Sequence, residues 1–503
     1  MCVLCDSGES LVHTAARIGT LQQLLREGAG TRSVPVTPGG TDNAIVAASS
    51  AAPRASVSTA SVTDELRRVQ ASHRILIKGG IVLTLDPRIG DFPSADILLE
   101  HGKIKEVRPS IDANDGDLVI VDARNCIIVP GFVDTHSHSY QGLLRGLLPA
   151  GVHADYDRDV QNLITMHYGP DDAYAGVLIT ALGLLESGTT TLVDISQVAH
   201  SPEHSDATIQ ALRDAGSRAV FAYSRGIGPK TQYPYDLKRI LPAYFSSEDQ
   251  LLTPALAVSQ DPKIFNVARE FGVRAVLHIR LNSASLVALR DAGVIREGDE
   301  FIHCTHLDQN AWAVIREFGG RTSHSVPLEM AMGHGTPAIQ EALNDGGRPS
   351  VSGDHATTVG MDMFGMMRAA FGMQRVIVHQ RRRNGEEHVP ALLTPRQVLE
   401  FATINGARVA NLDHRIGTIT PGKEADLLVL KADRLDVWPI NNAYATVVNQ
   451  MNAAHVDCVF VSGRPRKWGG QLVGVDHAHV LNIAQRARDA VLARAGYRMD
   501  ILG

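Results

Sequence analysis

The sequence predicts an α/β fold: a closed parallel β/α barrel over residues 131–410, with a small β domain assembled from the segments on either side. Two observations predict it. Short hydrophobic strands alternate with helical stretches eight times through the middle of the 503-residue chain, and eight such units favour closure over an open sheet. Runs of short strands broken by Gly, Pro and Asp turns bracket that region, at 71–130 and 411–475.

In chain order, residues 1–70 form an N-terminal extension. "SLVHTAARIGTLQQLLREG" reads as one amphipathic helix ended by Gly28, followed by a flexible linker rich in Ala, Ser, Thr, Gly and Pro. Cys2-x-x-Cys5 is a lone CxxC without a second pair and reads as two incidental cysteines. From His73, "HRILIKGGIVLTLDP", "ADILLEHGKIKEVRP" and "LVIVDARNCIIVP" read as a small antiparallel sheet, matched near the other end by "GTITPGKEADLLVL" and "VVNQMNAAHVDCVFVSGRPRK". The barrel strands fall around 132–135, 190–195, 219–224, 255–260, 274–279, 300–306, 321–325 and 349–354. Helices such as "DATIQALRDAG" and "PKIFNVAREFG" separate them, each closed by a glycine at its C-terminal cap. Residues 476–503 read as a terminal amphipathic helix that packs on the body or on a partner subunit. "MDMFGMMRAAFGM" has Met and Phe at helical spacing and reads as core packing.

Composition is that of an ordinary soluble enzyme: 44% hydrophobic, 20% charged, net charge −6. Nothing resembles the clustered basic face that nucleic acid requires, and Arg381-Arg382-Arg383, flanked by Glu386 and Glu387, reads as a solvated loop. No apolar run is long enough for a membrane span. The N-terminus lacks the charged and apolar regions of a signal peptide, and five cysteines make no disulfide framework. A cytoplasmic protein is expected.

The 21 histidines stand out, and their placement decides their meaning. Side chains at the C-terminal ends of barrel strands share one mouth. Strand one ends in "DTHSH", so His136 and His138, two apart on an extended segment, face the same way. Strand five offers His278, strand six His303 and His306, and strand eight Asp354. Each alone has a bland reading: HxH arises by chance, a buried strand histidine is usually a satisfied core residue, and an Asp after a strand usually caps a turn. Their joint placement at strand ends points instead to a divalent metal, such as zinc, held by three imidazoles and a carboxylate with room for water.

"PGFVDTHSH", "SGTTTLVDI", "LHI", "HCTHLD", "SGD" and "IGTITPGKEADLLVL" together resemble the amidohydrolase superfamily, in the branch of cytosine and guanine deaminases and triazine chlorohydrolases. The resemblance spans about residues 73–475. It implies a distorted (β/α)8 TIM barrel with a composite β-sandwich, and a single divalent ion, Zn2+ first, with Fe, Mn or Co as alternatives. It implies His136, His138, His278 and Asp354 as metal ligands, His303 over the attacking hydroxide, Asp354 as proton acceptor, Gln141 at the substrate, and a homo-oligomer. A second ion is not implied, because Ser259 and Gln260 stand where two-metal relatives have a modified lysine, and Lys263 opens the next helix.

One departure matters. Deaminases of this kind carry a glutamate three residues after the strand-five histidine, but "HIRLNS" has Leu281 there, beside Arg280. Glu329 is read either as the substitute acid or as a solvated helix-start carboxylate. His355 shapes the substrate pocket with or without proton transfer. Arg280 pairs either with an anionic group on the substrate or with a barrel carboxylate. His306 points to a structural hydrogen bond, and His324 and His334 carry no assignment.

The expected function is metal-dependent hydrolysis of a C–N bond in a small amide, carbamate or heterocyclic amine. Hydrolytic dehalogenation, decarboxylation on the same scaffold, or a non-catalytic scaffold role remain as alternatives.

Overall fold

A computed structural model describes residues 59–112 and 118–502. The expected helix at 10–28, most of the linker and the Cys2–Cys5 pair lie outside the described residues. The linker reading extended to residue 70, but a helix spans Thr59–Ala71. Its register explains why: Leu66 and Val69 lie three apart, on one face of a helix, and pack onto the apolar cluster of the small β domain.

The barrel strands are β6 (Phe132–Ser137), β7 (Thr189–Ser196), β8 (Arg218–Tyr223), β9 (Leu252–Val258), β10 (Arg274–Ile279), β11 (Glu300–His303), β12 (Thr322–His324) and β13 (Ser350–Val351). They pair in sequence order, all parallel. A parallel bridge between Ser137 and Asp354 links the last strand's end back to the first, with Asp354 N–H donating to the His136 carbonyl at 2.8 Å and His138 N–H to the Asp354 carbonyl at 2.7 Å. Strands β6, β7 and β8 are buried on both faces, although β6 (FVDTHS) and β7 (TTTLVDIS) carry polar side chains among their apolar ones. Alternate residues divide between two cores. Val133, Val193, Val220, Val276 and Ile302 fill the interior, while Leu192, Phe221, Leu277 and Phe301 face the surrounding helices.

One end of the barrel is plugged. The helix Ile404–Val409 sits under the start of β6, where a Cβ on Gly406 would lie 2.8 Å from the Val133 Cβ, and Ala407, Ala410, Leu412 and Ile416 cap the interior cluster. The other end, at the strand C-termini, carries the histidines.

The small β domain is built from β1 (Arg74–Val82), β2 (Phe92–Glu100), β3 (Lys103–Arg108), β4 (Val119–Asp122) and β5 (Cys126–Pro130), with β14 (Leu427–Lys431), β15 (Val456–Val461), β16 (Arg464–Trp468) and β17 (Gln471–Leu472). β14 pairs antiparallel with β5, which joins the two bracketing segments. All nine strands hydrogen-bond into one continuous sheet. The expected antiparallel pattern fails at β1, which pairs parallel with β4 over its first half and with β5 over its second. A bulge between Ile77 and Gly80 separates the two halves. Ile127, Val129, Leu428 and Leu430 face the cluster that includes Met363, Phe364, Met366 and Met367, so the Met-rich segment is core. That segment opens a helix running Met363–Arg383, which makes the basic triplet a helix end, with Arg381 paired to Glu386, and not a loop. The terminal helix spans His477–Ala495, and Val491 and Leu492 are buried against the barrel's outer core.

Candidate metal and catalytic site

Asp134, the last acidic residue before "THSH", fixes the frame of the site. Its Oδ1 accepts from the His136 N–H at 3.1 Å and the Gly353 N–H at 3.0 Å, tying the end of β6 to the loop after β13. A Cβ at Gly353 would lie 2.9 Å from the Met361 Cβ and 3.0 Å from Asp134 Oδ2. The "SGD" turn therefore needs glycine at its centre. Asp354 follows with φ of +62°, and His303 sits at +67°. Left-handed backbone at two non-glycine residues costs free energy and is typical of functional sites.

The imidazoles converge. His136 Nε2 lies 3.2 Å from His138 Nε2 and 3.1 Å from His278 Nε2. Asp354 Oδ1 is 3.6 Å from His136 Nε2 and 3.5 Å from His138 Nε2, and Asp354 Oδ2 is 3.7 Å from His303 Nε2. Ring nitrogens bound at about 2.0–2.1 Å to one tetrahedral zinc would stand roughly 3.3 Å apart, so the spacing suits one shared ion. Electrostatics agrees. Burial holds His136 and His278 well below their usual pKa and His138 at about 4, leaving neutral lone pairs. Burial beside Glu329 and Asp134 drives Asp354 well above the usual carboxylate range. A buried carboxyl among neutral imidazoles is what a divalent cation relieves. Remote nitrogens are anchored too: His138 Nδ1 is 3.2 Å from the Ile195 carbonyl and His136 Nδ1 is 3.4 Å from the Ser325 hydroxyl.

Glu329 is fully buried, which removes the solvated reading. It stands behind His303: Oε1 lies 2.9 Å from His303 Nδ1 and accepts from the Ser325 N–H at 2.8 Å. One oxygen facing two donors puts the histidine proton on Nδ1, so the Nε2 lone pair faces Asp354. Burial pushes Glu329 up to about 7 and takes His303 down to about 3. His324 Nδ1, 3.1 Å from the His303 carbonyl, steadies the same strand end. His306, at φ of +58°, is exposed and outside the cluster.

The remaining residues line the mouth. His355 is buried, stacked on Tyr156 at 4.3 Å and 4° and bonded to the Thr357 hydroxyl at 2.8 Å. Gln141 Nε2 donates to the Tyr140 and Tyr156 hydroxyls at 2.8 and 2.7 Å, which leaves Oε1 without a partner among the described residues. Leu281 is 71% exposed at φ of +59°, so it supplies no proton and does not turn inward. Arg280 lies two residues from His278 and pairs with no barrel carboxylate among the described residues. Its Nη2 is 2.5 Å from His153 Nε2. Sequence reading missed His153 and left His334 unassigned; the only signal was the histidine excess itself. Lys263 is exposed at the start of the helix Pro262–Glu270.

Residues 127–466 match the amidohydrolase family. A 5'-deoxyadenosine deaminase from Methanosarcina mazei is 25% identical over 452 residues, covering 84% of this chain and 99% of that protein. Among solved structures, an adenosine deaminase from Xanthomonas campestris with bound zinc is similar at a TM-score of 0.72 and 20% identity, over 83% of this chain and 98% of that one. An atrazine chlorohydrolase variant from Arthrobacter aurescens, complexed with zinc and atraton, gives 0.71 at 20% identity over 82% and 100%. With the matched span covering the barrel and the junction of β5 with β14, the chain belongs to the amidohydrolase family.

Proposed function

We propose that His136, His138, His278 and Asp354 hold one divalent ion, zinc first, and that the site hydrolyses an amide, carbamate or activated ring C–N bond in a small molecule. Family membership makes the chain a hydrolase of such bonds. The convergence of three Nε2 atoms within 3.2 Å of a neighbouring nitrogen, beside a buried carboxyl, carries the metal reading. A bound divalent ion supplies Lewis acidity and brings the pKa of its water from 15.7 to about 7.

The chain's own groups handle the proton. Asp354 Oδ2 and His303 Nε2, 3.7 Å apart, take it from the attacking water and return it to the leaving nitrogen as the C–N bond breaks. Glu329 acts through His303, its carboxylate stabilising the imidazolium by the Nδ1 hydrogen bond. Gln141 Oε1, His355 and Tyr156 shape the pocket. With Leu281 pointing to solvent, no acid stands where the deaminases of this branch protonate a ring nitrogen. This favours substrates whose leaving nitrogen needs no such help.

The test is a mass-spectrometric screen of metal-loaded protein against amides, carbamates, aminated heterocycles, chlorinated rings and aromatic acids, beside Asp354→Asn. Wild-type-only release of an amine or ammonia is expected. Loss of chloride or carbon dioxide instead, or equal turnover by Asp354→Asn, contradicts the reading.

A further inference from the structure

Arg280 is a guanidinium at the mouth of the site with no carboxylate partner among the described residues; its Nη2 lies 2.5 Å from His153 Nε2. Because arginine is always a donor, His153 Nε2 must offer its lone pair and Nδ1 carries the proton. Asp157 Oδ2 stands 3.3 Å from the same Nε2, half exposed on the solvent side, and cannot take a proton that is absent there. His153 Nδ1 then donates to His334 Nε2 at 3.3 Å. That leaves His334 with its proton on Nδ1, and this atom has no partner among the described residues although the residue is only 6% exposed. The His334 ring sits edge-on to His303 at 5.0 Å, next to the reacting centre. Three side chains from three separate segments thus end in a cation without a carboxylate and a buried N–H without an acceptor among the described residues.

We propose that Arg280, His153 and His334 form a carboxylate-binding subsite, so the substrate carries a carboxylate near its scissile C–N bond. The assignment rests on the hydrolase reading above and names its substrate class. A planar monoanion suits one guanidinium fork flanked by neutral imidazoles. His153 holds the fork in place, and the His334 N–H supplies the second donor. Since Arg280 occupies the turn that carries the ring-protonating glutamate in the similar deaminases, the same departure that weakens nucleobase deamination creates the new specificity.

The experiment uses benzoate and benzamide as probes of the metal-loaded full-length protein, with affinities read by calorimetry and metal content by elemental analysis. Benzoate is expected to bind wild type about tenfold or more tighter than benzamide, and Arg280→Gln is expected to lose that preference while keeping its metal. Benzoate affinity unchanged in Arg280→Gln would mean the carboxylate goes elsewhere, the ion included, and would overturn the subsite. If Arg280→Gln does not fold, His153→Gln carries the test with a severalfold loss expected and an unchanged affinity overturning it. A protein that turns over panel substrates without charge preference sinks the subsite alone; one without metal or turnover sinks the hydrolase reading.

Discussion

At the plugged end of the barrel, Arg218 is fully buried and almost fully matched. Its Nε and Nη2 donate to the two Asp426 oxygens at 3.0 and 3.1 Å, and Nη2 also reaches Glu424 Oε2 at 3.2 Å and the Ser462 hydroxyl at 3.0 Å. Only Nη1 lacks a partner among the described residues. At the open end, Asp354 is buried among imidazoles with no Lys or Arg paired to it among the described residues, and Glu329 Oε2, Gln141 Oε1 and His334 Nδ1 lack partners among the described residues. Both regions bury charge at strand ends of one barrel. The first pairs its charges within the chain and joins barrel to sheet; the second gathers a buried carboxyl and unpaired polar atoms around converging imidazoles. Buried polar groups are normally satisfied, and the convergence of the unsatisfied ones on three imidazole nitrogens supports the metal and substrate site proposed at the open end.

The sharpest break of this contrast is Arg218→Ala. It takes from Asp426 its paired guanidinium and leaves Glu424 held by Arg415 and Ser462, and removing one partner of a buried pair costs about 3–5 kcal/mol. Denaturant unfolding is expected to show that loss, while metal content and turnover of the folded protein stay at wild-type values. A cost under about 1 kcal/mol would show that the junction is solvated and its charges exchangeable with water.

Next in size is Glu329→Gln, which should do the opposite. The amide oxygen can still accept from Ser325 N–H and His303 Nδ1–H, so thermal stability should hold. The negative charge that supports a proton on His303 is gone, and kcat is expected to fall about 10²-fold. The limb near pH 7, where Glu329 takes up its own proton, should be absent from the variant's pH–rate profile. An unshifted profile with unchanged kcat would make Glu329 a packing residue.

How much of this contrast was legible in the sequence depends on how local its cause is. His136 and His138 share a face because strand side chains alternate, a rule that operates over two residues. The eight barrel strands were equally legible, since short strand-like segments alternating with helical stretches mark a β/α barrel along the chain. Arg218 was not: a single arginine at a strand entrance reads as surface, and its partners Asp426 and Glu424 lie more than 200 residues away on the approach to β14. His153 and His334 escaped for the same reason, since their contact joins a helix start to a loop 181 residues away. Glu329 looked like a solvated helix start because "SVPLEMA" does open a helix, Val326–Ala331. What buries it is the packing of β11 and its histidine, which no local pattern encodes. The parallel pairing of β1 was hidden likewise, since strand propensity carries no direction.

The smallest effect separates the two ends by pH. Burial alone would raise the Glu424 carboxyl, but the Ser462 hydroxyl, Arg415 and Arg218 outweigh it and bring it from 4.5 to about 2. A carboxyl held lower in the folded chain than in the unfolded one contributes stability above 4.5 and loses it as pH falls towards 2. Glu424→Gln has no such proton to bind. Its stability deficit against wild type should therefore be largest above about pH 5 and narrow steadily as the solution is acidified. The other carboxyls titrate in both proteins and cancel in the difference. A deficit that stays constant down to about pH 2.5 would mean that Glu424 stabilises by packing alone. In that case the matched end of the barrel would owe its strength to the Arg218–Asp426 pair and not to the wider network.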